Sequence, residues 1–331
     1  LAKAGLAVRV ALDGGLRENA NGAAVRVADT QSRHLPPEEA KERVRAQMAA
    51  AAKAGVPVLY KKTDSTLRGN LGAEFEGALA CSGRQKLVFV PAYPALGRIV
   101  IGGRAYLNGQ PLEKTALAQD PLNPVTTGVV ADVVRAQTGL PVRAVVPAAI
   151  EEELEREGPG VFCVDAATEE DLAHAAQALA PWAEHVVLAG CAGFAAHLPG
   201  FLRAPRQAFA PVGAQKRLLA VCGSVNPVSL GQVAFAEAQG AAVCRLTPEE
   251  LLAPRFLETQ AGKAAVQALA CALEQAGWAV LCSARSGGHV EAVRALAAAQ
   301  GLPEGGAHLA VAERLAEVAA AGFAGQRECA L

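Results

Sequence analysis

The stretch YKKTDSTLRGNLGAEFEG, residues 60–77, holds two Lys, an Asp, a Ser, two Thr and an Arg between positions 61 and 68, directly after the apolar run VPVLY. Each residue type brings a chemistry. Arg68 offers a planar fork for a carboxylate or phosphate, and Lys61 and Lys62 offer point charges. Ser65 and Thr66 donate to and accept from hydroxyl groups. Asp64 could take the proton of an attacking alcohol. Gly69 and Gly72 would let backbone approach a ligand, and a helix starting near Asn70 would favour an anion at its first turn. Together these groups suit a small polyhydroxy acid. The same residues also fit a solvated cap in which Lys and Arg pair with Asp64, Glu74 and Glu76. The residue types alone leave both readings open.

The elements around this stretch must place it. Strand patterns (GLAVRVAL, AAVRVADT, VPVLYKK, KLVFVPA, PVRAVVP, GVFCVDA, AEHVVLAGCAG) are interleaved with helical ones (PPEEAKERVRAQMAAAAKAG, NLGAEFEGALACSG, VVADVVRAQTG, TEEDLAHAAQALAPWA). Near-continuous apolar runs of five or six residues mark strands covered on both faces, and strand–helix alternation implies a mostly parallel sheet. A Pro-containing break without period at 199–216 reads as a linker, and a second alternation follows it. The expected fold class is therefore α/β, with two domains, each a mostly parallel sheet flanked by helices. The expected boundaries are 1–204, a linker at 205–216, and 217–331. Ligands of open parallel sheets sit beyond the carboxyl ends of the strands. Those ends lead into polar residues at Arg33, at the Lys61–Arg68 cluster, at Asp165 and, in the second domain, at Gly223-Ser224. Two such sites facing an interdomain cleft would suit a two-substrate transfer.

Composition narrows the classes. The 331 residues are 52% hydrophobic and 19% charged, enough for a large core. Lys+Arg 31 against Asp+Glu 32 leaves no basic field for nucleic acid or an anionic membrane. Aromatics at 4% argue against base-stacking platforms. The eight Cys are scattered without a CxxC pair, as small buried thiols of a reducing compartment would be, and the six His show no zinc-ligand spacing. No metal ligands are expected. No apolar run reaches the roughly 18 residues of a membrane span, so a cytoplasmic protein is expected. A dinucleotide oxidoreductase is disfavoured because no GxGxxG follows any strand.

Several segments, in order, resemble the four-carbon acid sugar kinase family, the ATP-dependent kinases of threonate, erythronate and 3-dehydrotetronate. KKTDSTLRGNLGAE is similar to the family signature, and DTQSR at 29–33 to its earlier Asp-Thr-x-(Ser/Thr)-Arg segment. Residues 91–125 resemble its long central loop. VDAATEEDL, LAGCAGFA and VCGSVNPVSLGQV fit its later landmarks. The resemblance implies a sugar-acid-binding N-terminal domain and an ATP-binding C-terminal domain. It places Arg33, Lys62, Asp64, Ser65, Thr66 and Arg68 at the substrate, with Asp64 and Arg68 as the catalytic candidates. It places Gly223 and Ser224 at the nucleotide. It implies ATP with Mg²⁺ and transfer to the terminal 4-hydroxyl. The sequence does not set the oligomeric state; a homodimer is the assembly expected.

The sequence also departs from the family. It starts on Leu1 in what reads as the last turn of a helix, without the family's Asp-Asp-x-Thr-Gly segment. It stops at QRECAL, before the Gly-Gly-(Asp/Glu)-Thr loop, and Asn226 stands where a Ser is common. The sequence thus reads as cut at both ends, with an inactive remnant that at most binds a sugar acid as the alternative.

Overall fold

The computed structural model describes residues 1–12, 22–120, 123–156, 158–200, 202, 206, 217–284, 286, 288–303, 306–324 and 329–330. The chain divides into two compact units, Leu1–Phe209 and Ala210–Leu331. Of the expected linker only Arg206 lies within the described residues. Its guanidinium donates to the carbonyls of Ala4 at 2.8 Å and Pro199 at 2.7 Å.

The first unit opens with strands β1 (Val8–Ala11) and β2 (Val25–Ala28), which pair in parallel as a sheet of their own. Helix α1 (Pro37–Lys53) follows. Two prolines and Glu38 and Glu39 sit at its start, and it buries the stripe Ala40, Val44, Met48 and Ala51. Then come β3 (Leu59–Lys62), α2 (Leu71–Ser82) and β4 (Lys86–Val90). Residues 98–111, expected to be a loop, form an antiparallel meander of β5 (Arg98–Ile101), β6 (Arg104–Leu107) and β7 (Gln110–Pro111). Its first turn, Gly102-Gly103, has φ of 58° and 74°, the two-residue turn that only such residues make without strain. The unit continues with α3 (Val130–Arg135), β8 (Val142–Val145), α4 (Ile150–Glu155), β9 (Gly160–Val164), α5 (Glu169–Leu179), β10 (Val187–Gly190) and α6 (Ala192–Ala195). Five strands make one all-parallel sheet in the order β3-β10-β4-β9-β8. The apolar runs of β9 and β10 are buried along their whole length, as strands covered on both faces must be. Phe75 on α2 meets Phe89 on β4 edge-to-face, 5.0 Å between centroids, and fixes the helix on the sheet.

The second unit holds β11 (Arg217–Cys222), α7 (Pro227–Ala238), β12 (Ala242–Arg245), α8 (Pro248–Leu252), α9 (Gln260–Ala276), β13 (Trp278–Cys282), α10 (Gly288–Ala299), α11 (Gly306–Phe323) and β14 (Cys329–Ala330). Its sheet is also parallel, in the order β12-β13-β11-β14. Leu269 and Leu273 of α9, Leu281 of β13 and Val318 of α11 are buried in its core. No described helix is long and apolar enough to cross a membrane.

Candidate functional site

Because the five-stranded sheet is parallel, the carboxyl end of β3 lies beside that of β10. Thr63 N donates to Gly190 O at 2.8 Å, and Tyr60 Oη donates to Cys191 O at 2.7 Å. The polar stretch leaves the sheet here as a tight loop into α2. Leu67 takes φ 61°, unusual for a branched apolar residue, and is held there by its own burial.

Asp64 is the hub of this loop. Its Oδ2 accepts Thr66 N at 3.2 Å, Arg68 Nε at 3.0 Å and the Thr66 hydroxyl. Its Oδ1 accepts Arg68 Nη2 at 3.3 Å and Arg33 Nη2 at 3.2 Å. Burial alone would raise this carboxyl. The hydrogen bonds from Arg68 and Thr66 and the charges of Arg68 and Arg33 outweigh it and hold the group at about 2. Arg68 in turn places Nη1 2.9 Å from Asp120 Oδ2. The structure therefore brings Arg33, Asp64, Thr66 and Arg68 together.

Lys62 and Ser65 are on the same loop but outside the network. Lys62 is exposed, with its charge felt by the Cys191 thiol, Ser65 is half-buried, and neither side chain makes a hydrogen bond or carboxylate pair among the described residues. The buried Thr63 hydroxyl likewise has no hydrogen-bond partner. Arg33 has one carboxylate neighbour and keeps 42% of its side chain exposed. These groups offer donors and positive charge to an anionic, hydroxyl-bearing ligand. The ion pairs of the capping alternative are present too: Lys61 Nζ lies 2.7 Å from Glu74 Oε2, and Lys41 Nζ lies 2.8 Å from Glu76 Oε2. The polar stretch is thus divided between pairs that shape the loop and groups that remain open.

Two glycines have a different use from the expected one. A Cβ on Gly69 would sit 3.2 Å from Arg33 Cγ, and one on Gly72 would meet Gln137 Cβ at 2.6 Å and Val134 O at 2.7 Å. They admit neighbouring protein segments rather than a ligand. The Gly72 amide, in the first turn of α2, is already bound to Gln137 Oε1 at 3.0 Å. Asp165, at the end of β9, accepts Gly103 N at 3.0 Å and so docks the turn between β5 and β6. By sequence, Asp120 in QDPLNP reads as the start of a turn or the cap of the helix that follows; Arg68 is 52 positions away, and no local pattern announces such a contact.

In the second unit, Gly223 follows β11 and lines a cavity of about 140 Å³ together with Ser283, His289, Arg294 and His308. Ser224 does not line this cavity. It is exposed, and its Oγ accepts Asn226 N at 3.2 Å. Asn226 Oδ1 accepts Val228 N at 2.9 Å and caps α7, so Asn serves the turn as a short acceptor should. By sequence, Gly287-Gly288 with Arg285 and Ser286 reads either as a phosphate contact or as a plain turn; of these, Arg285 and Gly287 lie outside the described residues. Most of the cavity's lining is apolar (Val225, Leu251, Val290, Val293 and Val311 among others), with the Arg294 guanidinium, two imidazoles and the buried Ser283 hydroxyl as its polar groups. Among the described residues no three His, Cys, Asp or Glu converge to hold a metal ion.

Residues 1–198 match the family model described as a sugar-binding N-terminal domain, and residues 219–328 match that of a nucleotide-binding C-terminal domain. The chain is 34% identical over 251 residues to a D-threonate kinase of Salmonella typhimurium, covering 73% of this chain and 58% of the relative. It is 36% identical over 233 residues to a D-erythronate kinase of Heliobacterium modesticaldum, covering 66% of this chain and 52% of the relative. It thus spans little more than half the length of these two relatives. A crystal structure of a Salmonella typhimurium protein superposes with a TM-score of 0.76 at 22% identity, over 96% of this chain and 78% of that one, and shares its fold. Fold and family models define a two-domain α/β protein with one sugar-binding and one nucleotide-binding domain. More narrowly, the chain belongs to the four-carbon acid sugar kinase family.

Proposed function

We propose that this chain carries the sites of an ATP-dependent kinase acting on the 4-hydroxyl of a four-carbon sugar acid such as threonate, erythronate or 3-dehydrotetronate. The observation that carries the reading is the arrangement at the end of β3. One carboxylate held at about 2, Asp64, is clamped between the Arg33 and Arg68 guanidiniums, with the exposed part of Arg33 and the Lys62 and Ser65 side chains beside it. Arg33 and Lys62 would take the substrate carboxylate, Arg33 by its fork and Lys62 as a point charge. Ser65 and Thr66 would bind the hydroxyls.

A carboxylate held at about 2 is a weak base. The chemistry expected of Asp64 is therefore to accept a hydrogen bond from the 4-hydroxyl and aim its lone pair, not to remove the proton before attack. The hydroxyl oxygen would bond to the γ-phosphorus as the bond to the bridging oxygen breaks, and the proton would pass late, after the hydroxyl oxygen has become acidic by bonding, to the Asp64 carboxylate that accepts its hydrogen bond. Gly223 and Ser224, with the cavity beside Gly223, would hold the nucleotide through backbone amides and hydroxyls. Mg²⁺, when bound, would neutralise charge between the phosphates. It is held elsewhere by phosphates, waters and one or two carboxylates, which is compatible with a chain lacking a dedicated cage among its described residues.

The test is ATP consumption by the 331-residue chain with Mg²⁺ and a panel of D- and L-threonate, D-erythronate and 3-dehydrotetronate, alongside calorimetric binding of each acid. Turnover of one acid supports the kinase reading and names the substrate. Absence of both turnover and binding across the panel overturns it.

A further inference from the structure

The Lys61–Glu74 pair costs free energy to bury, and the proposed chemistry does not use it. Glu74 lies in the first turn of α2 with 7% of its side chain exposed, and Lys61 keeps 11%. Replacing such a pair by apolar side chains of similar volume is often neutral or stabilising, so stability alone does not account for it. The two Glu74 oxygens have separate partners: Oε2 lies 2.7 Å from Lys61 Nζ, and Oε1 accepts the hydroxyl of Ser32, itself 5% exposed. Ser32 precedes Arg33. Three further features hold the same segment down. Asn70, in the N-cap position of α2, makes no capping bond; its amide donates instead to Ser32 O at 3.0 Å and Leu35 O at 2.9 Å. Thr30 Oγ1 lies 2.8 Å from Ser32 Oγ. Gly69 leaves room for the Arg33 side chain, since a Cβ there would be 3.2 Å from Arg33 Cγ.

We infer that Glu74 is a positioning residue: through Lys61 and Ser32 it clamps the 30–35 segment against β3 and α2, and so places the Arg33 guanidinium over Asp64 and the substrate carboxylate. The inference rests on the kinase reading for what Arg33 binds, but not for the clamp itself. A buried, fully partnered polar cluster fixes one arrangement of the segments that meet at it, because any shift leaves a charge unpaired.

Hydrogen exchange of the 331-residue chain tests the clamp without substrate. Glu74→Gln and the paired Lys61→Met/Glu74→Leu replacement should each speed exchange of the 30–35 amides by about tenfold. Protection of β4 and α2 should stay as in the parent, and the paired variant should keep its melting temperature. Unchanged exchange at 30–35 in both variants would overturn the clamp. In the kinase assay, Glu74→Gln should raise KM for the acid about tenfold and change kcat far less, since uniform binding is what is lost. In an Arg33→Ala background the same substitution should cost little more. Additive losses would overturn the route through Arg33. If the parent chain neither binds nor turns over any acid, the kinase reading falls, while the exchange rates still decide the clamp.

Discussion

Asp64 concentrates the electrostatics of the first unit in one side chain, and its depressed pKa has a sign that can be followed. The group is held at about 2 in the fold, against about 4 for an ordinary Asp. A depressed carboxyl contributes stability that is fully present above its unfolded pKa and is lost as pH falls through the folded one. Glu76, also held at about 2, chiefly by its hydrogen bond from Lys41 and then that from Thr138, acts in the same window. Thermal stability should therefore be flat down to about pH 4.5 and fall steeply toward pH 2. Asp64→Asn should flatten part of that fall in a pH series of melts, while lowering stability at pH 7 by on the order of 2 kcal/mol. The same substitution should reduce kcat with little effect on nucleotide affinity. Arg68→Ala should reduce both kcat and acid affinity, because it removes the guanidinium that Asp64 and Asp120 share. Unchanged turnover and acid affinity in both variants would remove these residues from the site. The Lys61–Arg68 cluster was legible in the sequence because its residues are contiguous, and Arg33 because a family segment marks it. The pairing of Glu74 with a nearby lysine was legible too, but the contacts of Asp120, Asn70 and Glu74 to Arg68, Ser32 O and Ser32 Oγ were not, because the fold brings these partners in from 52, 38 and 42 positions away.

At the scale of elements, α2 is the part that everything else leans on. It carries Glu74 toward the loop, Phe75 toward β4 and Glu76 toward Lys41 and Thr138. Its glycines permit this crowding. A Cβ on Gly77 would stand 2.4 Å from Lys41 O of α1, backbone that cannot turn aside. Gly77→Ala should therefore destabilise the first unit despite its better helix propensity, by about 2–4 kcal/mol in denaturant unfolding. A neutral or stabilising result would show that the two helices can part cheaply. Long strands and helices were readable from apolar runs and from capping residues. The meander of β5 to β7 was not, because strands of two to four residues are too short to show a period, although Gly102-Gly103 was a visible turn signal. The short α8 was missed in the same way, although Thr247 and Glu250 form a capping box at its start.

Across the whole molecule, each unit has a core of its own. The connected hydrophobic core of the first runs from Val44 to Leu198, so residues 1–209 expressed alone should melt in one cooperative transition with native-like near-ultraviolet circular dichroism. A span that binds hydrophobic dye and melts without cooperativity would contradict this. The strand order carries a further consequence for how such a chain comes into being. The strand that seats the site, β3, has one neighbour in its sheet, β10. Tyr60 and the residue that accepts its hydroxyl proton bond are 131 positions apart. On a ribosome, β3 and its charged loop emerge early and then wait beside an unfilled slot until nearly the whole unit has been made. The strand that carries the Asp64 loop is thus made well before the strand that secures it, and during that interval its edge is open to pairing with another chain.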